Sequence, residues 1–341
     1  MANTDVLGFW KIAEADPEHL AIVDPDHEQM TFGELYALTN QIVHGLRALG
    51  LQPGDQVTTV LPNSFEQVAI CLAAFQGGFY VTTVNWHLVG PEISYIVNDS
   101  ETKALIVNAR FGDEATRVLE DCDTPEANRF VIGGEVGGFR SFRELIDGQP
   151  SERPDDLGPT GSFMFYTSGT TGRPKGVRRP LSPAHPDESA SGGLLYLFGT
   201  KPHDDNVQIT QAPLYHTAVN NWTTMSLHLG HSVVLMDKWD AEGALERIEK
   251  YRVTSSHMCA AHIHRTGVTC DVGGWRTNAR ILPPPPSKAW PWRPHPHLHP
   301  YPHPHPHLRS LSLLIAPSRL LPAKPPPPFS WQSLLPLRRP P

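Results

Sequence analysis

The most informative stretch of the chain is residues 165–177, which read FYTSGTTGRPKGV. A short apolar strand leads into a loop that combines glycines, hydroxyl residues and one lysine. Gly169, Gly172 and Gly176 allow the backbone to bend closely around a bulky anion. Exposed backbone N–H groups in such a loop form an anion-binding nest. The pattern therefore predicts a phosphate-binding loop.

Side chains of the same loop add further donors to phosphate oxygens. Lys175 supplies a positive charge, and hydroxyl donors are available on Thr167, Ser168, Thr170 and Thr171. The loop is not a Walker A motif, because Pro174 precedes the lysine and Gly176 follows it, and the chain has no G-x-G-x-x-G fingerprint. The alternative, a solvated connection that binds nothing, is disfavoured by the preceding strand and by the position of the lysine.

The sequence on both sides of the loop alternates between helical and strand patterns from about residue 30. Strands are predicted at 57–61, 79–84, 104–107, 129–132, 162–166, 207–211, 232–236 and 253–256. Capping boxes are predicted at Thr31 with Glu34 and at Ser64 with Gln67, each opening a helix. Because the connections are too long for hairpins, the predicted fold class is α/β, with a helix-covered, largely parallel sheet.

Several motifs in this order resemble one family. Residues 166–177 are similar to the phosphate-binding signature of the adenylate-forming (AMP-binding) superfamily, and residues 213–217 (PLYHT) are similar to its next core motif. The N-terminal landmarks TFGEL at 31–35, GDQV at 54–57, LPNS at 61–64 and GGF at 77–79 follow the family order. The resemblance covers about residues 1–258 and is greatest to acyl-CoA synthetases of the fatty-acid–CoA ligase type.

This resemblance implies an ATP-dependent reaction in two steps. A carboxylate, expected to be a fatty acid, attacks the α-phosphate of ATP, and the thiol of CoA then displaces AMP. Mg²⁺ is expected to bridge phosphate oxygens, and no side chain is assigned as a metal ligand. Lys175 is expected to be catalytic together with His216, which matches a histidine that lines the acyl and adenylate pocket in the family. The expected nucleotide-binding residues are Thr167, Ser168, Gly169, Thr170, Thr171, Gly172 and Lys175.

Three apolar residues after the second motif, Trp222, Met225 and Leu229, have helical spacing. They have two interpretations, an acyl pocket or simple core. Stripes of this kind are more often core, which is the interpretation we favour.

Composition excludes several other classes of protein. Residues 1–271 contain all 35 acidic residues and 19 of the 28 Lys and Arg, so a nucleic-acid-binding body is not expected. The first residues lack the pattern of a signal peptide, and no apolar run approaches the roughly 18 residues of a membrane helix. Four cysteines in 341 residues do not indicate a disulfide scaffold. A cytoplasmic protein without an integral membrane segment is expected.

The composition changes after residue 258. Residues 272–341 contain nine basic residues and no acid, and 20 of the 35 prolines follow residue 282. Because proline blocks helices and interior strands, a disordered Pro/His-rich tail is predicted over 259–341, beside a partial AMP-binding domain over 1–258. The hypothesis is a frame slip near residue 258 that leaves the enzyme impaired. The alternatives are a non-catalytic nucleotide- or acyl-binding remnant and a proline-rich interaction protein.

Overall fold

The computed structural model describes residues 7–167, 173–189, 200–202 and 205–259, together with three later strands. The strands are β1 Leu20–Val23, β2 Gln29–Thr31, β3 Gln56–Val60, β4 Tyr80–Thr83, β5 Thr102–Asn108, β6 Arg129–Ile132, β7 Arg140–Ser141, β8 Ser162–Thr167, β9 Lys175–Arg178, β10 Val207–Thr210, β11 Ser232–Leu235, β12 Ser255–Cys259, β13 Val268–Asp271, β14 Gly274–Thr277 and β15 Ser310–Leu314. The helices are α1 Phe9–Ala15, α2 Phe32–Ala48, α3 Phe65–Gly77, α4 Gly90–Asp99, α5 Gly112–Val118, α6 Arg143–Ile146, α7 Pro186–Ser189, α8 Thr217–His228 and α9 Ala241–Lys250.

These strands form two large sheets. The first has seven strands in the order β7-β6-β5-β3-β4-β8-β9 and is parallel except for the last pair. The second has six strands in the order β15-β12-β10-β11-β1-β2 and is antiparallel at both ends. The predicted α/β class with largely parallel strands is therefore confirmed, although the sequence did not indicate that the strands divide between two sheets.

Side chains that alternate along the strands build a layered core. On β5, Ala104 and Ile106 face a central cluster that also contains side chains of α2, α3, α8 and the second sheet. Leu105 and Val107 face the opposite way, into a cluster shared with α4 and α5. A third cluster packs the outer face of the second sheet against α9. Three helices thus lie between the sheets, and further helices cover both outer faces.

Both predicted helix starts, at Thr31 and at Ser64, are confirmed, but the capping box at Ser64 is incomplete. At Thr31 both hydrogen bonds of the capping box are present. At Ser64 only half of the box forms: the hydroxyl accepts a hydrogen bond from the backbone of Gln67, at 3.3 Å. The Gln67 side chain instead accepts from the Thr59 hydroxyl, at 2.9 Å. The buried hydroxyl of β3 offers a partner that the local pattern could not show.

The N-terminal elements were not predicted. Helix α1 and strands β1 and β2 precede or overlap the start of the predicted alternation. Strand β1 pairs parallel with β11, which lies far along the chain. A four-residue apolar strand has no periodicity of its own, and its partner cannot be read from neighbouring residues.

The segment after residue 259 is described only in part. Strands β13 and β14 pair antiparallel with each other, and β15 pairs antiparallel with β12. Residues 310–314 read SLSLL, an alternation of period two that suits a strand. The rest of the predicted disordered tail lies outside the described residues. No helix among the described residues has the length and apolar character needed to cross a membrane.

Candidate active site

The predicted phosphate loop connects two antiparallel strands. Strand β8 ends at Thr167 and β9 begins at Lys175, and these two residues lie opposite each other in the ladder. The Thr167 hydroxyl lies 3.5 Å from the carbonyl oxygen of Lys175, and both residues are exposed. Residues 168–172, which include the predicted contacts of Ser168, Gly169, Thr170, Thr171 and Gly172, lie outside the described residues. The hairpin therefore presents one hydroxyl and one ammonium group at the base of the loop.

Helix α4 supports both sides of this hairpin. The Tyr166 hydroxyl donates to Oδ2 of Asp99, at 2.7 Å. The Tyr95 hydroxyl donates to the carbonyl oxygen of Pro174, at 3.1 Å, and the guanidinium of Arg173 lies 5.4 Å from the centre of the Tyr95 ring. Burial and the neighbouring Asp99 carboxylate raise the pKa of Tyr166 far above its usual range. The Tyr166 hydroxyl therefore stays protonated and donates its hydrogen bond. Residues on both sides of the loop, Tyr166 and Pro174, are thus hydrogen-bonded to α4.

Gly176 has a packing role in the hairpin. A Cβ atom at this position would lie 2.5 Å from Cε of Met164 and 3.1 Å from Cζ of Tyr166. The sequence pattern attributed this glycine to close approach of an anion. The structure shows that its missing side chain also makes room for the tyrosine that is bonded to α4.

The second motif lies at the same edge of the first sheet. His216 is exposed and occupies the N-cap position of α8. The preceding residue, Tyr215, accepts a hydrogen bond through its carbonyl oxygen from the Thr83 hydroxyl, at 3.4 Å. Thr83 ends β4, and β4 is the parallel neighbour of β8. Carboxyl ends of adjacent parallel strands therefore bring His216 and the hairpin to the edge where ligands bind in open α/β sheets.

An aromatic and charged cluster beside this edge was missed from the sequence. The Trp86 ring stacks on Phe111 at 5.1 Å between centroids and meets Tyr215 edge-on at 6.2 Å. Arg110 lies over Trp86 and donates from Nη1 to both carboxylate oxygens of Asp237, at 2.7 and 2.8 Å. Asp237 follows β11 and Arg110 follows β5, so the pair joins the two sheets. The available signal was that Arg110 and Asp237 each come two residues after the end of an apolar strand.

The expected apolar stripe belongs to the core. Trp222 and Leu229 are buried in one small cluster, and Met225 packs against it. This confirms the favoured interpretation of the three residues. Met225 also lines a cavity of about 200 Å³ at the opposite, amino end of β8, together with Ser162 and His228.

The donors at the site suit an anion better than a bare metal ion. Among the described residues, no group of three or more His, Cys, Asp or Glu side chains converges in a way that would hold a metal. The exposed ammonium of Lys175 and the hydroxyl of Thr167 are groups that bind phosphate oxygens. The described residues therefore fit a phosphate group, and they fit Mg²⁺ when its oxygen ligands come with the nucleotide.

Comparison with known proteins agrees with this geometry. The model of the AMP-binding enzyme family matches residues 9–277 of the chain. The fatty acid–[acyl-carrier-protein] ligase ScoC of Streptomyces coeruleorubidus is 31% identical over 237 residues, which are 68% of this chain and 43% of the relative. The long-chain-fatty-acid–CoA ligase FadD13 of Mycobacterium tuberculosis is 28% identical over 244 residues, which are 71% of this chain and 46% of the relative.

A solved structure shows the same architecture. The inhibitor-bound N-terminal domain of FACL13 from Mycobacterium tuberculosis matches with a TM-score of 0.64 and 25% identity, covering 77% of this chain and 65% of that one. The chain spans less than half the length of the two curated relatives. The two-sheet fold and a family match over most of the chain lead to one conclusion: the chain belongs to the AMP-binding enzyme family.

Proposed function

We propose that this chain is the ATP-binding part of an AMP-forming acid–thiol ligase that activates a fatty acid and transfers it to CoA. The observation that carries the proposal is the placement of Lys175 opposite Thr167 at the sheet edge that also holds His216. This arrangement puts a positive charge and a hydroxyl donor beside the second motif. The relatives, a fatty acid–carrier-protein ligase and a long-chain-fatty-acid–CoA ligase, support the acyl substrate.

The first step forms an acyl-adenylate. A carboxylate oxygen of the fatty acid attacks the α-phosphorus of ATP, the bond to the β-phosphate oxygen breaks, and pyrophosphate leaves. Lys175 and the donors of the loop, with Thr167 at its start, hold the β- and γ-phosphates and neutralise the charge that develops on pyrophosphate. Mg²⁺, when bound, supplies further neutralisation of the phosphate oxygens.

The second step forms the thioester. The sulfur of the thiol attacks the acyl carbon, and the carbon–oxygen bond to AMP breaks. In this proposal His216 borders the acyl-adenylate, which its exposed position at the start of α8 supports. The thiol is that of CoA in our proposal, and a carrier-protein thiol is the alternative that the first relative suggests. Both ATP and CoA are available in the cytoplasm, which is the proposed location.

We further propose that residues 1–258 form the AMP-binding unit and that residues 259–341, of which β15 pairs with β12 at the edge of the second sheet, are a tail of different origin. The support is the change in composition, since acidic residues are absent from 272 onward while prolines accumulate. Limited proteolysis followed by mass spectrometry tests this boundary. A stable fragment that ends between about 256 and 282 is expected, and equal resistance of the whole chain would contradict the proposal.

ATP–pyrophosphate exchange tests the chemistry. Purified full chain is incubated with labelled pyrophosphate, ATP and Mg²⁺, with and without fatty acids of several lengths. Label should enter ATP only when a carboxylate is present, and Lys175→Ala should remove most of the signal. A chain that binds ATP but never exchanges label with any carboxylate would instead be the non-catalytic nucleotide-binding protein. Formation of acyl-CoA is then measured separately.

A further inference from the structure

Asn63 makes an unusually complete set of contacts beside the site. It lies between β3 and α3, and only 4% of it is exposed. Its Nδ2 donates to the carbonyl oxygens of Ala212, at 3.1 Å, and Met236, at 2.7 Å. Its Oδ1 accepts from the backbone N–H of Leu214, at 2.8 Å. The Asn63 side chain therefore makes hydrogen bonds with both of its N–H hydrogens and with its oxygen. All three bonds are to main-chain groups just after β10 and β11 of the second sheet.

These contacts hold the segment that carries His216. Ala212 follows β10, and Leu214 is two residues before the histidine. The same segment is held from two other sides: Asn220 of α8 donates to the carbonyl oxygen of Leu214, at 2.9 Å, and Thr83 donates to that of Tyr215. Of these three contacts, only the one from Asn63 also reaches β11, through Met236. Asn63 therefore fixes the segment relative to β10, which precedes it in the chain, and to β11, which follows α8.

We propose that Asn63 is a positioning residue, which acts by fixing the backbone of residues 212–216 and hence the place of His216 at the edge with the phosphate loop. This proposal rests on the proposed function for its kinetic consequence, but the backbone effect can be measured without it. Asn63 belongs to the LPNS landmark at residues 61–64, to which the sequence alone assigned no role.

Only an uncharged amide satisfies this position. Aspartate has the same shape, but its carboxylate would place negative oxygen atoms against two carbonyl oxygens while still accepting from Leu214. Burial raises the pKa of such a carboxyl group, because the charged form loses its hydration. Protonation at lower pH would restore one O–H donor. Asn63→Asp should therefore regain part of its function as the pH falls, whereas Asn63→Ala has no group that could respond.

A matched control exists elsewhere in the chain. Asn40 on α2 is fully buried, donates from Nδ2 to the carbonyl oxygen of Ser151 at 2.8 Å, and accepts from Gln76 at 2.6 Å. Its bonds do not involve the segment at 212–216. Asn40→Asp therefore reproduces the loss of a buried amide without touching the site.

The first experiment measures backbone hydrogen exchange of the full chain by mass spectrometry. Peptides that contain residues 212–216 should exchange about fivefold faster in Asn63→Ala, the factor that corresponds to one net hydrogen bond of about 1 kcal/mol. In Asn40→Ala, the matched substitution at the control position, these peptides should keep the wild-type rate. Unchanged exchange in Asn63→Ala, or an equal increase throughout the protein, would overturn the proposal whether or not the chain is active.

The second experiment measures pyrophosphate exchange as a function of pH. With Asn63→Asp, kcat should fall about 100-fold near pH 8, since misplacement of a group by about 1 Å has this effect, while KM for ATP changes little. The deficit relative to wild type should shrink towards pH 6. Equal loss of kcat in Asn40→Asp, or no recovery at low pH in Asn63→Asp, would contradict a positioning role. An inactive wild type would count against the proposed function and leave the hydrogen-exchange result to decide this proposal.

Discussion

Replacing Lys175 by alanine gives the most direct test of the phosphate site. The side chain is exposed at the first residue of β9, and among the described residues no carboxylate forms an ion pair with it. Its removal should therefore change the free energy of unfolding by less than about 0.5 kcal/mol. A charge-assisted hydrogen bond to phosphate contributes about 1.5–3 kcal/mol. The Kd for ATP should consequently rise roughly 10- to 150-fold.

Isothermal titration of ATP and Mg²⁺ into wild type and variant measures this ratio. Lys103→Ala is a suitable control, because Lys103 is also an exposed lysine on a strand but lies at the amino end of β5, away from the loop. It should bind ATP with the affinity of wild type. Titrations at two salt concentrations should show a smaller dependence in Lys175→Ala than in wild type. Equal affinities of wild type and Lys175→Ala would refute the assignment of the loop.

Two further predictions concern stability. Burial lowers the pKa of His228 to about 4, from an ordinary value of 6.5. Between these two pH values the unfolded chain binds a proton on this histidine that the folded chain does not bind. The free energy of unfolding therefore falls as the pH drops from 6.5 towards 4. The free energy of unfolding, measured with urea, should decrease by about 2 kcal/mol more from pH 7 to pH 5 in wild type than in His228→Gln; equal pH dependence would contradict this. A Cβ atom on Gly161 would lie 2.1 and 2.3 Å from two main-chain oxygens, so Gly161→Ala should reduce stability by about 3 kcal/mol. Gly137→Ala, where nothing lies within 4 Å, should have little effect, and similar urea midpoints for the two variants would disprove the packing argument.

The residues of the predicted phosphate loop lie close together in the chain, so a local sequence pattern was enough to predict them. The loop at 165–177 shows its donors and its lysine directly, and Thr31 with Glu34 forms the capping box that their spacing of three predicts. Seven of the eight strands predicted from apolar runs lie within two positions of an observed strand. Each of these features is decided by backbone geometry and hydrogen bonds within a few residues.

Contacts between residues far apart in the chain could be read only from the folded molecule. Asn63 and Leu214 are 151 residues apart, and Arg110 and Asp237 are 127 residues apart, yet each pair is in hydrogen-bond contact. The division of the strands into two sheets depends in the same way on which faces share a core, as the alternation along β5 and the pairing of β1 with β11 show. A local pattern shows that one face of a strand or helix is apolar, but not which distant face will pack against it. The reason is that the hydrophobic effect is non-directional, so any partner of suitable shape gives the same free energy per buried area.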